Sequence, residues 1–88
     1  MDAKEKMKRV MLRRLVREAL DLASPQKLTS NLIEDAVESL GTGDVAAADI
    51  REAMEWNQRK GYITYEHNED LEVDLWSLTD RGVEKVKE

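Results

Sequence analysis

GTGDVAAADIREAMEWNQRKGYITYEHNEDLEVDLWSLTDRG, Gly41 to Gly82, is the stretch whose reading decides the fold. From about Ala46 to Lys60 it is built of helix formers. Ile50, Ala53 and Met54 fall at core spacing, and Ala46 and Ala47 near the start allow close approach to a neighbour. Gly61 is the expected helix stop, since glycine takes the left-handed conformation without a Cβ penalty. Tyr62 to Glu66 and Leu71 to Leu78 are strand-like runs of branched and aromatic residues. His67-Asn68-Glu69-Asp70 is a polar turn between them. Thr79 is a good helix N-cap, and Val83 and Val86 suit a short closing helix.

Two positions break the pattern. Continuing the apolar stripe of the helix lands on Asn57, where an apolar residue is expected, and Trp56 is expected to swing in and fill that space. In the second strand-like run, Leu71, Val73 and Leu75 alternate with Glu72 and Asp74, but Trp76 and Leu78 fall on the other parity. Either a bulge near Asp74-Leu75 shifts the phase, or one apolar row is covered by a partner.

Upstream, Thr29-Ser30-Asn31 offers N-caps for a helix carrying Leu32, Ile33, Ala36, Val37 and Leu40 at helical period. Gly41 is its expected left-handed stop. Thr42-Gly43-Asp44 continues the turn, with a short extra strand expected near Asp44-Val45. Further upstream, Lys4 to Ala23 is a long helix ended by Ser24-Pro25, because the residue before proline is pushed out of the helical region. At about 100° per residue, Met7, Met11, Leu12, Leu15, Ala19 and Leu22 share one face. Lys6, Arg9, Arg13 and Arg17 form a stripe on the opposite side, with Val16 and Leu20 between. That stripe reads as a solvated face, a phosphate or acidic-partner contact, or a membrane-surface helix.

The 88 residues suit a single domain, 1–88, with a limited core. Apolar content of 41% argues against wholesale disorder. There is no cysteine, so no disulfide framework and no thiolate metal site, and the lone His67 builds no metal site by itself. No apolar run is long enough to span a bilayer and the basic N-terminus lacks a signal peptide's apolar core, so a cytoplasmic protein without membrane partners is expected. The net charge of -5 is unevenly spread: Met1 to Arg17 holds seven bases against two acids (+5), and the remainder seven against seventeen (-10). Such a split speaks to partners rather than fold. No nucleophile–base set is visible, Gly41-Thr42-Gly43 lacks the rest of a phosphate loop, and Glu69 to Asp74 lacks the glycine and spacing of a calcium loop. A non-enzyme without metal or cofactor is expected.

Leu40-Gly41, the helix ending in Arg59-Lys60-Gly61-Tyr62-Ile63, and Trp76-Ser77-Leu78-Thr79-Asp80-Arg81-Gly82 together resemble winged helix-turn-helix proteins. The likeness covers roughly Leu12 to Val86. More loosely, the layout resembles small winged-helix proteins of Mu-like phages and prophages. The resemblance implies a mainly α fold with a small β-hairpin (α+β), in the order α-α-α-β-β-α with a long N-terminal helix. It implies a DNA-binding transcription regulator or phage accessory factor whose third helix enters the major groove of double-stranded DNA. Carried onto this sequence, Ala47, Ala48, Arg51 and Glu52 would face bases, with Gln58 and Arg59 nearer the backbone. Glu52 and Glu55 offset those arginines. The hairpin, with Glu66, Glu69, Asp70, Glu72 and Asp74, has no Lys or Arg, and such a wing repels phosphates. A module that binds another protein and not DNA is therefore the alternative. A homodimer is also expected, with Leu71, Val73 and Leu75 of one wing meeting the basic first helix of a second copy.

Overall fold

The computed structural model describes residues 2–41 and 45–88. Asp2 caps the first helix, its carboxylate accepting the Glu5 N–H at 2.8 Å, and α1 runs Ala3–Ala23. Thr29 caps α2, Ser30–Leu40, through the Leu32 N–H. The third helix, α3, is Ala47–Arg59. Strands β1, Ile63–Asn68, and β2, Val73–Leu78, pair antiparallel. The closing helix α4 is Asp80–Val86. The expected mainly α architecture with one hairpin, in that element order, is the one observed.

One apolar cluster joins these elements. It takes Leu12, Leu15, Val16, Ala19 and Leu20 from α1, Ile33 and Val37 from α2, Ile50, Ala53 and Met54 from α3, then Ile63 and Trp76. The buried face of α1 is therefore turned from the expected one. Val16 and Leu20 are buried, while Met7, Met11 and Leu22 are exposed. The arc of apolar residues on this helix is wide enough for either orientation. The choice falls to Arg13 and Arg17, which turn toward α3 because polar partners wait for them there.

Two backbone expectations about glycine divide. Gly61 has φ +79°, and its N–H bonds to Gln58 O while the Tyr62 N–H bonds to Asn57 O. That pair of bonds closes a Schellman turn, which needs the left-handed residue. Gly41 is not left-handed: its backbone is extended, φ -87° and ψ 169°, and α2 leaves directly into the connection to α3. Val45 belongs to no strand, and Thr42, Gly43 and Asp44 lie outside the described residues. The extra strand position falls instead at Leu28, which exchanges both backbone hydrogen bonds with Trp76, at 3.0 and 2.7 Å.

The hairpin register is unbroken from Ile63↔Leu78 to Asn68↔Val73, so no bulge shifts the phase. Paired residues share a face. Ile63, Tyr65, Trp76 and Leu78 lie on one side, with the Tyr65 and Trp76 rings 4.9 Å apart. Val73 and Leu75 lie on the other side and are half-buried. Leu71 sits in the turn, exposed, and outside that row.

The Leu-Thr-x-x-Gly tail has a physical reading. Thr79 Oγ1 accepts the Gly82 N–H at 3.0 Å and donates to Gly61 O at 2.6 Å. A Cβ at Gly82 would run into the Tyr62 carbonyl oxygen. The glycine is therefore required by how closely α4 crosses the end of α3. Val83, expected to pack, is exposed.

Candidate nucleic-acid interface

Helix α3 buries Ile50, Ala53, Met54 and Asn57 and turns the opposite face outward. Ala47, Ala48, Arg51, Glu55, Gln58 and Arg59 are all exposed on that face. The five residues expected to contact DNA spread over about 120° of the helix surface. Ala46 supplies no side-chain cap, and the Asp49 N–H turns back to the Ala46 carbonyl. Among the described residues no ion pair engages Arg51 or Arg59.

Glu52 was expected beside the base-facing residues, and the structure moves it. Its carboxylate pairs with Arg13 at 3.0 Å on the flank that meets α1. The pair is half-buried, so its charge is largely cancelled before any ligand arrives. Glu55 keeps its place among the outward residues. Asp49, in the first turn, pairs loosely with Lys8 at 3.8 Å. The outward strip thus carries Arg51 and Arg59 against Glu55, with Lys60 following at the helix end.

Arg13 and Arg17 are not free phosphate contacts on a far face of α1. Arg17 is 9% exposed and Asn57 is 0% exposed. Arg17 Nη1 donates to Asn57 Oδ1 at 3.0 Å and to the Arg13 carbonyl at 3.3 Å. Asn57 Nδ2 donates to the carbonyls of Ala53, at 2.8 Å, and Arg13, at 3.0 Å. The Arg17 guanidinium lies 5.5 Å from the Tyr62 ring centre, and that of Arg13 lies 4.6 Å over Trp56. Desolvation pushes the Arg17 pKa below its ordinary value, with Tyr62 opposing. Asn57 itself fills the core position, and Trp56 stays at the rim under Arg13 and does not swing in. Lys6 and Arg9 remain exposed.

Sequence reasoning missed this network, though one signal for it was present. A polar residue at a core position needs hydrogen-bond partners, and two arginines at i and i+4 on a neighbouring helix supply them. Lys60, whose ammonium lies 5.5 Å from the Trp56 ring, also belongs to this end of α3.

The wing remains acidic. Lys27 reaches Glu66 at 2.9 Å from outside the hairpin, and His67 meets Asp74 at 2.9 Å. Glu69, Asp70 and Glu72 at the tip are exposed and make no ion pair among the described residues. Glu72 holds a left-handed backbone, φ 54°.

No family model matches the sequence, and no curated protein matches it. Solved structures do resemble it. A MarR family transcription regulator superposes with a TM-score of 0.71 at 22% identity, over 86% of this chain and 46% of its own. A mutant of S. aureus MepR gives 0.71 at 17% identity, over 85% and 51%. A mutant of Lactococcus lactis ZitR gives 0.64 at 24% identity, over 83% and 47%. The fold is a winged helix-turn-helix. In its terms α2 and α3 are the helix-turn-helix pair, the β1–β2 hairpin is the wing, and Leu28 holds the third strand position. The chain spans about half the length of these structures.

Proposed function

We propose that this winged helix is a DNA-binding regulator or phage accessory factor that lays α3 in the major groove of duplex DNA. The observation that carries this reading is the outward strip of α3. Ala47 and Ala48 leave room for base edges, Arg51 has the reach and geometry to take guanine bidentately, and Gln58 and Arg59 face the backbone. The Arg13–Glu52 pair supports it further, by removing one of the two acids that opposed those arginines. Lys6 and Arg9 extend the basic surface along the first helix.

The acidic wing limits phosphate contacts to a few, so binding is expected to be modest and mildly salt-dependent. Two phosphate contacts, from Arg59 and Lys60, give a slope of log K against log salt of about -1.8. Fluorescence anisotropy with mixed-sequence duplex at two salt concentrations measures it. Arg51→Ala should relax base preference, and Arg59→Ala should weaken all duplexes and flatten the slope by about one unit. Identical affinity for wild type and both variants would remove the reading.

The exposed acids at the wing tip favour a second reading, in which the wing and its Val73–Leu75 row bind a basic protein surface and no DNA is bound. Absence of any duplex binding at low salt would favour it.

A further inference from the structure

Between the last turns of α1 and the outer face of α2 lies an open groove of about 370 Å³. Leu22 and Ala23 line it from α1, Leu32, Ala36 and Leu40 from α2, and Leu28 from the connection; its only polar lining is Ser39. Leu22 is 72% exposed, Leu32 50% and Leu40 40%, so three leucines here bury little of themselves in their own domain. The charges beside the groove have one sign. At about 100° per residue, Glu18 lies about 40° from Leu22 on α1, and Asp35 lies about 40° from Ser39 on α2, so each wall is edged by an acid. Asp21 and Glu38 stand one step further out on the same two helices. The neighbouring bases are committed: Arg14 to Glu18 at 3.0 Å, Lys27 to Glu66 at 2.9 Å and Lys85 to Glu88 at 3.1 Å. Asp21, Asp35 and Glu38 are exposed and make no ion pair among the described residues.

We propose that this groove receives an amphipathic helix of a different protein, with leucine-like residues on its apolar face and Lys or Arg on both flanks. From Leu32 to Leu40 the groove runs about 12 Å, eight residues at 1.5 Å each, which accommodates about two turns of a docked helix. Anchors at i, i+3 or i+4 and i+7 of that helix would lie on the three leucines. Apolar burial supplies the affinity. Asp21, Asp35 and Glu38 attract cationic flanks and repel an acidic helix, so the charges supply the choice of partner. The groove shares no residue with the outward strip of α3, so the proposal stands whether or not DNA is bound.

Amide shifts of the isotope-labelled whole chain, titrated with a designed peptide, test this. The probe is a helix of about fourteen residues with leucine on one face and lysine elsewhere; its control keeps the leucines and carries glutamate for lysine. The lysine peptide should bind with a dissociation constant on the order of 50 µM, shifting the amides of Ala23, Ala36 and Leu40 and leaving those of the wing tip in place. The glutamate peptide should bind at least about tenfold more weakly. Leu22→Ser and Leu32→Ser, one from each wall, should each weaken the lysine peptide at least about fivefold with the helical circular dichroism unchanged, since both side chains are exposed. Asp35→Lys combined with Glu38→Lys should invert the preference between the two peptides. No shifts at about 1 mM lysine peptide, shifts centred on the acidic wing, equal binding of the two peptides, or folded serine variants that bind like wild type would overturn the proposal. Groove shifts that grow with protein concentration alone would give the groove to a second copy and overturn it equally.

Discussion

Asn57 is the residue whose replacement tests the structure most sharply. Asn57→Leu keeps the volume and removes three hydrogen bonds. The carbonyls of Arg13 and Ala53 lose a side-chain donor, but each still accepts a helical N–H four residues on, so their loss is about 0.5–1.5 kcal/mol apiece. The Arg17 guanidinium loses its 3.0 Å acceptor and keeps only the weaker 3.3 Å bond to the Arg13 carbonyl. A bond to a charged group is worth about 1.5–3 kcal/mol. The whole change is then about 2.5–6 kcal/mol, a large part of the total stability of about 4–13 kcal/mol expected for a domain this size. Arg17→Met alone should also destabilise, because it leaves Asn57 Oδ1 buried without a donor. The double variant, Arg17→Met with Asn57→Leu, orphans neither group and should recover most of the loss, since apolar replacement of a complete buried polar set is often neutral. Urea unfolding followed by tryptophan fluorescence gives the four stabilities of the cycle, with a coupling of about 1–3 kcal/mol expected. Single variants within 0.5 kcal/mol of wild type, or a double variant equal to the sum of the singles, would refute the network as a cooperative unit.

The two glycines at the α3–α4 crossing should behave differently. Gly61→Ala places a Cβ in ordinary contact with Arg81 Cδ, 3.9 Å away, at φ +79° and should cost about 1 kcal/mol through backbone strain. Gly82→Ala drives a Cβ into the Tyr62 carbonyl and should lower the melting temperature more than Gly61→Ala does. Equal melting points in the pair would show that the crossing is looser than described. Glu72→Gly relieves a left-handed glutamate and should raise stability by about 0.5–1 kcal/mol in the same urea assay. If the wing lies against phosphates, changing Glu69, Asp70 and Glu72 together to Lys should tighten duplex binding and steepen the salt slope by about 0.9 for each new contact. An unchanged slope would place the wing away from the DNA backbone.

Local signals carried the fold. The Gly61 stop, the Thr79 cap and the hairpin runs each act over a few residues, so they stood in the sequence as clearly as in the structure. The third strand position at Leu28 did not, because it depends on a pairing with Trp76 that is distant in sequence. The orientation of α1 was illegible for a related reason. Its apolar arc is broad, and the rotation was settled by Asn57 and Glu52, on another helix forty or so residues away. Gly41 misled because a glycine after a helix was read as left-handed, whereas the chain here leaves extended. The outward strip of α3 was legible because Ile50, Ala53 and Met54 fixed the inward side. What Glu52 does was not, since its partner lies on α1.

A polar lock in place of apolar packing has a consequence for recognition. Hydrogen bonds fix direction within narrow angles, so Arg17–Asn57 and Arg13–Glu52 set the rotation of α3 on α1, where two apolar stripes would allow sliding. If α3 reads bases, that rotation decides which edges Arg51 reaches, and a tilt of the helix would move its guanidinium off a bidentate geometry while leaving phosphate contacts in range. The Arg17→Met and Asn57→Leu double variant separates the two roles, because it should keep its stability and lose the directional bonds. Its affinity for mixed duplex should stay near that of wild type, while discrimination at the base facing Arg51 should fall by roughly the 1–3 kcal/mol that a bidentate pair supplies. Competition anisotropy between a preferred duplex and its single-base variants reads this directly. A double variant that keeps both melting temperature and discrimination would mean that the network merely fills the α1–α3 contact and the angle of α3 is held by the apolar residues around it.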